Sequence, residues 1–277
     1  MTRSPTPSSP LVSVVTVCLD AAATLERALA SVAAQTWPAV EHIVIDGGST
    51  DGTLDVLARH GRHVATVVSE PDRGIYDAMN KGVARATGDV LCFLNADDAY
   101  VAPDVLAAVA TAMADDRLDA LYGDVDVFLA GAPHRTVRRY RSDRFRPDRL
   151  GSGWMPAHPA LFMRSRIYRD LGGFRTDYRI AGDFEFVARA FRAGPLAHRH
   201  VPRVLVRMQH GGVSTAGLRN TLVLNREVLR ACRENDIPTG LLRMLSRYPA
   251  KLLELVPPSW RWDLSGDRRG APCRRAG

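Results

Sequence analysis

The sequence predicts an α/β fold, a mainly parallel sheet flanked by helices, with a helical C-terminal appendage. Three observations predict it. Leu11–Cys18 and His42–Ile45 are apolar, β-branched runs, and Leu25, Ala28, Leu29, Val32 and Ala33 recur between them at helical spacing. Such a strand–helix–strand unit builds a parallel sheet with a right-handed crossover. A further apolar run, Val90–Leu94, delivers Asp97 and Asp98 to the rim of that sheet, much as the second strand ends at Asp46. Beyond Gly217 the strand patterns stop and amphipathic helical stripes take over.

Composition narrows the class. Hydrophobic residues make up 46% of the 277, enough for the core of one large domain, with or without an appendage. The chain carries 37 basic against 30 acidic residues, a net +7. Nucleic acid, an anionic membrane surface or a phosphorylated substrate would each account for that excess. Only Lys81 and Lys251 are lysines, however, and a skew to Arg also arises from coding bias. Cys18, Cys92, Cys232 and Cys273 contain no C-x-x-C pair, which argues against a zinc site or a disulfide framework. Met1–Pro10 lacks the apolar stretch of a signal peptide and reads as a disordered terminus of residues 1–10. No apolar run reaches the ~18 residues of a spanning helix, so a cytoplasmic location is expected.

In chain order, Thr24 is a candidate N-cap for the first helix, and Trp37-Pro38 closes it. The turn after the second strand, Asp46-Gly47-Gly48-Ser49-Thr50-Asp51-Gly52-Thr53, is glycine-rich, and Asp46 stands where a strand end meets a binding crevice. It is neither G-x-G-x-x-G nor a P-loop. After a third strand, Val64–Val68, the polar segment Glu70–Gly82 offers Asp72, Arg73 and Lys81 to a nucleotide diphosphate; a solvated loop and a surface helix fit it as well. Two neighbouring carboxylates repel, so Asp97 and Asp98 suit a hard divalent cation, Mg²⁺ or Mn²⁺, with oxygen ligands. The alternative is a helix start, since Pro103-Asp104 follows and acidic residues favour helix N-termini.

The ordered set VSVVTVCLDAAATLERALASVAAQTWP, HIVIDGGSTDGT, EPDRGIYDAMNKGVARATGDV and FLNADD resembles a family 2 glycosyltransferase of the GT-A fold. It is especially similar to bacterial enzymes of capsule, exopolysaccharide, lipopolysaccharide and colanic acid assembly, over roughly residues 11–215. The resemblance implies that Asp46 bonds the nucleotide base, with backbone of Thr16, Val17 and Cys18 lining the same pocket. Asp72 and Arg73 would face the base and ribose. Asn95-Ala96-Asp97 takes the D-x-D position, with Asp97 as metal ligand and Asp98 beside it; Asn95 keeps a carbonyl acceptor there but loses a charge. The implied donor is a UDP- or GDP-sugar, and the acceptor a saccharide or lipid-linked saccharide.

On this reading residues 11–216 form the GT-A domain, with a nucleotide-sugar half of about 11–128 and an acceptor half of about 129–216. Leu118–Phe128 reads as a strand with outward-facing Asp at alternate positions. Between His134 and Arg149, seven arginines face only Asp143 and Asp148, a net +5. That run suits a loop near a diphosphate or anionic headgroup, or a solvated edge; with Tyr140 and Phe145 interleaved it would also suit RNA. Asp183 matches the family's base position, the carboxylate that takes the acceptor hydroxyl's proton in an inverting transfer. Capping of the helix that begins there is the structural alternative, and Glu185 is second choice as base. His210 matches loosely a histidine that touches metal or diphosphate in many GT-A enzymes, and His158 is a candidate acceptor contact. Residues 217–262 form the appendage and 263–277 a disordered tail. Within the appendage Leu241 to Val256 carries an apolar stripe opposite Arg243, Arg247 and Lys251, suited to peripheral contact with the inner membrane face or to packing on its own domain. The rivals are a sugar nucleotidyltransferase, whose Gly-rich loop is missing after the first strand, and a basic nucleic-acid-binding protein. A glycosyltransferase with no nucleic-acid partner is the reading retained.

Overall fold

Val12–Cys18 (β1) carries no charge and is buried at every position, so it can occupy the middle of a sheet covered on both faces. The computed structural model describes residues 9–211 and 217–245. After β1 come α1 (Leu25–Ala33), β2 (Val40–Asp46), α2 (Thr53–His60), β3 (Thr66–Ser69), α3 (Ile75–Val83), β4 (Val90–Phe93), β5 (Ala99–Tyr100) and α4 (Val105–Met113). The second half adds β6 (Ala120–Leu129), β7 (Ala132–Tyr140), β8 (Leu161–Arg164), α5 (Ser165–Leu171), α6 (Gly182–Ala193), β9 (His198–Gln209), α7 (Gly217–Glu234) and α8 (Leu241–Leu245).

These strands form one nine-stranded sheet in the order β3-β2-β1-β4-β8-β6-β9-β5, with β7 added to β6. The first four of that order are parallel, with Cys18 beside Asp46 and Asp46 beside Ser69. Their C-terminal ends therefore open on one crevice. The second half is mixed: β8 runs antiparallel to β4 and β6, and β9 runs parallel to β6. The GT-A architecture expected from the motifs is present, with helices on the sheet. Helix α3 approaches closely enough that a Cβ on Gly82 would collide with the Val15 side chain.

Several local expectations change. Thr24 makes no side-chain cap, and α1 ends at Ala33, four residues before Trp37, whose indole N–H bonds Pro10 O at 3.0 Å. The polar segment after β3 is a loop over residues 70–74 followed by helix α3, which is not a surface helix, since it buries Tyr76, Ala78, Met79 and Gly82. On β6, Asp124 points inward. It is buried and accepts from Arg139 Nη2 at 2.9 Å and Nε at 3.1 Å, from Ser142 N at 3.0 Å, and pairs with His200 Nε2 at 2.9 Å. A register shift beside Asp124 breaks the strict alternation on which the outward reading rested.

The arginine run is a strand and two 3₁₀ turns, not a loop. Arg139 serves Asp124, Arg141 pairs with Asp143, and Arg146 donates to the carbonyls of Asp143 and Phe145. Phe145 is buried, and Tyr140 donates to Met155 O at 2.8 Å. Of the interleaved aromatics that suggested RNA stacking, Phe145 thus belongs to the interior and Tyr140 is half-buried against the core. Cys18, Cys92 and Cys232 are buried. Helix α7 lies on α6 and buries Val228, Ala231 and Cys232. Of the basic stripe only Leu241–Leu245 falls within the described residues; Arg247, Lys251 and the 263–277 tail lie outside them. Among the described residues no helix is long and apolar enough to cross a membrane.

Asp124 joins three strands and the turn at Ser142, so its removal should cost more than a surface ion pair. Asp124→Ala is expected to lower unfolding stability by about 2–4 kcal/mol, because Ser142 N and two charged partners lose a buried acceptor. Urea denaturation measures this, and a change under about 0.5 kcal/mol would place the pair among weak surface bridges.

Candidate active site

The crevice begins with the DGGST turn. Asp46 is buried; burial pushes its carboxyl up, but bonds from Ser49 Oγ, Ser69 Oγ (2.7 Å) and the N–H groups of Ser49 and Gly48 outweigh this and hold it below the usual carboxylate range. Its oxygens are spent on the turn, so in this structure Asp46 shapes the loop rather than presenting an acceptor to a base. Burial, followed by Asp46 itself, pushes the neighbouring Cys18 thiol up to about 12, which keeps it protonated. Thr16 and Val17 face inward, and Thr16 Oγ1 lies 3.0 Å from His42 Nε2. The chain surfaces two residues later, at Leu19, which is 58% exposed beside Gly47.

The next loop comes down on this turn. Asp72 Oδ2 occupies the space a Cβ on Gly47 would need, and Asp72 Oδ1 accepts from Gly74 N at 2.8 Å. Thus Asp72 and Leu19, rather than Asp46 and Thr16, offer side chains at this corner. Arg73 is exposed and pairs with Asp77 at 3.3 Å. Lys81 is committed elsewhere: it bridges Glu70 at 3.1 Å and Pro71 O at 2.8 Å, and so braces the loop.

The acidic corner after β4 divides its two carboxylates. Asp97 is half-buried; burial raises its carboxyl, against an opposing pull from Arg27. Asp98 is fully buried and pushed well above the ordinary range by burial and then by Asp97. Both had been read as metal ligands, but Asp98 points into the protein toward Asn95 Nδ2 at 3.4 Å. Arg27 of α1 ties the corner to the end of β9, donating to Asp97 O at 2.8 Å and Gln209 Oε1 at 3.1 Å. His210 follows Gln209; its backbone N–H bonds Phe128 O at 2.7 Å and its side chain is exposed.

Among the described residues no three His, Cys, Asp or Glu side chains converge into a ready-made metal site. The corner nonetheless fits a divalent cation in its chemistry. Asn95 Oδ1 and Asp98 Oδ1 are buried acceptors with no donor, and Asp97 is the oxygen ligand beside them that reaches the surface. The remaining ligands would have to come from a bound substrate.

Asp183 sits in the first turn of α6, after the N-cap Ala181. Its Oδ1 accepts from Phe184 N at 2.8 Å and Tyr76 Oη at 3.4 Å, so it does not cap the helix as an N-cap residue would. Burial raises its carboxyl, offset in part by His158. That imidazole stacks on Phe93, the last residue of β4, at 5.3 Å, and burial lowers its own basicity. His158 therefore links Asp183 to the strand that leads to Asp97. Glu185 is buried and engaged by Arg189 at 2.9 Å. Tyr76 crosses between the halves, donating to Ile180 O at 2.6 Å, and a cleft of about 220 Å³ opens beside it between Arg73–Asp77 and Thr176–Arg179. Leu19, Arg27 and Tyr76 are the site neighbours the sequence did not single out. All three lie inside motif segments, which is the one signal that could have found them.

The family model for glycosyl transferase family 2 matches residues 13–176. The PGL/p-HBAD biosynthesis glycosyltransferase of Mycobacterium bovis (strain BCG / Pasteur 1173P2) is 34% identical over 227 residues, spanning 80% of this chain and 84% of the relative. Among solved structures, S. aureus TarS 1-349 in complex with UDP-GlcNAc superposes with a TM-score of 0.64 at 17% identity, over 86% of this chain and 72% of that one. The mannosyltransferase PcManGT from Pyrobaculum calidifontis, in complex with GDP-Man and Mn²⁺, gives 0.56 at 20% identity, over 92% and 84%. The structures bear on the fold alone; the family match covers more than half the chain, and the mycobacterial relative agrees with it. The chain belongs to glycosyltransferase family 2.

Proposed function

We propose that this enzyme transfers a sugar from a nucleoside diphosphate sugar, a UDP- or GDP-sugar, to a hydroxyl of a saccharide or lipid-linked acceptor, with inversion, in surface polysaccharide synthesis. The observation that carries the reading is the raised Asp183 carboxylate within electrostatic reach of His158, the imidazole that stacks on the last residue of β4 ahead of the acidic corner. The donors held by the TarS and PcManGT structures support the nucleotide-sugar class, and the motif resemblance to exopolysaccharide enzymes supports the setting.

In this reading the base and ribose lie against the DGGST turn, between Leu19 and Asp72, and the diphosphate reaches the Asn95–Asp97 turn. Asp97, with the oxygen of Asn95 and the His210 side chain as further candidates, would hold Mg²⁺ or Mn²⁺. Such an ion, when bound, offsets charge on the diphosphate leaving group. Asp183 takes the proton of the acceptor hydroxyl as its oxygen attacks the anomeric carbon and the bond to the diphosphate breaks. Burial makes that carboxylate a stronger proton acceptor than one in water, and Tyr76 holds its orientation. His158, whose basicity burial lowers, lines the same wall. Alignment of the two substrates supplies much of the remaining acceleration.

Donor binding and chemistry should separate. Asp97→Ala is expected to weaken Mn²⁺-dependent binding of UDP or GDP about tenfold or more, equivalent to roughly 1.4 kcal/mol. Calorimetry with and without Mn²⁺ reads this directly, and an unchanged metal-dependent affinity would remove Asp97 from the ligand set. Asp183→Asn, by contrast, should lower turnover ~10²-fold or more while donor affinity stays within about twofold. Near-normal turnover in that variant would leave Asp183 a structural residue.

The wild-type pH profile gives a further test. Asp183 must be ionised to accept a proton, and burial raises its pKa, so turnover should fall on acidification through a pH above the ordinary carboxylate range. An acid limb at or below the ordinary aspartate value would contradict the assignment.

A further inference from the structure

Helix α7 touches the acceptor side through one polar face. Glu227, Arg230 and Glu234 recur at i, i+3 and i+7, and all three turn toward residues 175–181. Arg230 donates to Asp177 O at 3.2 Å, pairs with the Asp177 carboxylate, and stacks over the Tyr178 ring at 4.4 Å. Glu234 accepts from Tyr178 Oη at 2.5 Å and pairs with Arg175 at 2.8 Å. Glu227 makes the most specific contact. Its Oε1 accepts from Arg179 N at 2.8 Å, and its Oε2 accepts from both Ile180 N and Ala181 N at 2.8 Å.

Three successive N–H groups converging on one carboxylate form an anion-binding nest, placed immediately before α6. Ala181, the N-cap of α6, makes no side-chain cap of its own, so the helix start is anchored from a distant helix. The opposite side of the same segment is held by Tyr76 Oη on Ile180 O. Residues 179–181 are thereby clamped between α3 and α7, and Asp183 follows two residues after the clamp.

We infer that Glu227 is a positioning residue for the transfer step: its carboxylate fixes the backbone of Arg179–Ala181 and so aims Asp183 at the acceptor. The inference rests on the reading of Asp183 as the base. It assigns α7 a part in catalysis without contact to either substrate, since small misplacement of a reacting group costs rate steeply.

Glu227→Gln preserves length and helix propensity, yet puts an NH₂ donor against at least one of the three N–H groups whichever way the amide turns. Glu227→Asp retains both oxygens on a shorter arm and serves as the conservative partner, and as the test if the Gln variant does not fold. Three measurements are compared with wild type: amide exchange at residues 179–181, Mn²⁺-dependent affinity for UDP and GDP, and release of nucleoside diphosphate from UDP-GlcNAc or GDP-mannose. Expected for Glu227→Gln are faster exchange, donor affinity within about twofold, and turnover down about tenfold or more. Glu227→Asp should recover part of that turnover. In an Asp183→Asn background Glu227→Gln should change turnover less than about twofold, because the group it aims is gone.

Equal losses in both backgrounds would overturn the inference, as would donor affinity falling in step with turnover. Unchanged exchange together with normal turnover would do the same. Failure of the underlying reading is distinct: Asp183→Asn with near-normal turnover removes the base, and with it any route from Glu227 to the rate.

Discussion

The site depends on a packing constraint at β1. Every residue of that strand is buried, β2 and β4 flank it in parallel register, and α3 lies so close that Gly82 has no room for a side chain over Val15. A strand held this way resists slipping, since a one-residue shift would exchange the side chains packed on its two covered faces. Its end at Cys18, the end of β2 at Asp46 and the end of β3 at Ser69 therefore stand in line. The loops that leave those ends are stitched together, with Asp20 N on Ser49 Oγ at 2.8 Å and Thr50 N on Asp20 Oδ1 at 2.9 Å. The glycine-rich turn is thus rigid where a ligand would meet it.

Around that crevice, environment divides one residue type among several tasks. Asp46 is surrounded by donors, stays ionised and shapes a turn. Asp124 is just as buried and is consumed by Arg139 and His200 in joining strands. Asp98 has an oxygen without a donor, and its carboxyl is pushed far up by burial and by Asp97. Asp183 lies between these extremes, with one oxygen bonded by Phe184 N at 2.8 Å and by Tyr76 Oη at 3.4 Å. The base role proposed for Asp183 needs that intermediate condition: strong donors would suppress its basicity, and complete enclosure would deny it a substrate.

These distinctions mark how far the sequence could be read. The strands through Phe93, the helical stripe of α1 and the identity of the acidic corner were legible, because burial of a parallel strand and the period of a helix leave direct patterns. The mixed second half of the sheet was not, since a bulge beside Asp124 shifts the period that would reveal it. Side-chain allegiance was hidden for a different reason. Lys81 has Glu70 eleven residues away, Arg139 has Asp124 fifteen away, and Glu227 reaches 46 to 48 residues back to a backbone. Residue type and spacing show which groups can ionise, and only the fold shows which are already engaged.

Arg27 shows how an acidic corner can be kept open. A guanidinium so near Asp97 and Asp98 would ordinarily form a bidentate pair with a carboxylate and close the corner to a cation. Here one of its nitrogens is held by the backbone oxygen of Asp97 and the amide oxygen of Gln209, and its plane rests over Phe128 at 4.9 Å. Its charge still acts across space and eases both carboxylates downward, a smaller effect than burial and than the backbone hydrogen bonds that act in the same direction. The protein thereby moderates the repulsion between adjacent carboxylates while leaving the side chain of Asp97 free of a direct arginine partner. A corner built this way tolerates its own charge and keeps the Asp97 carboxylate without an arginine partner among the described residues.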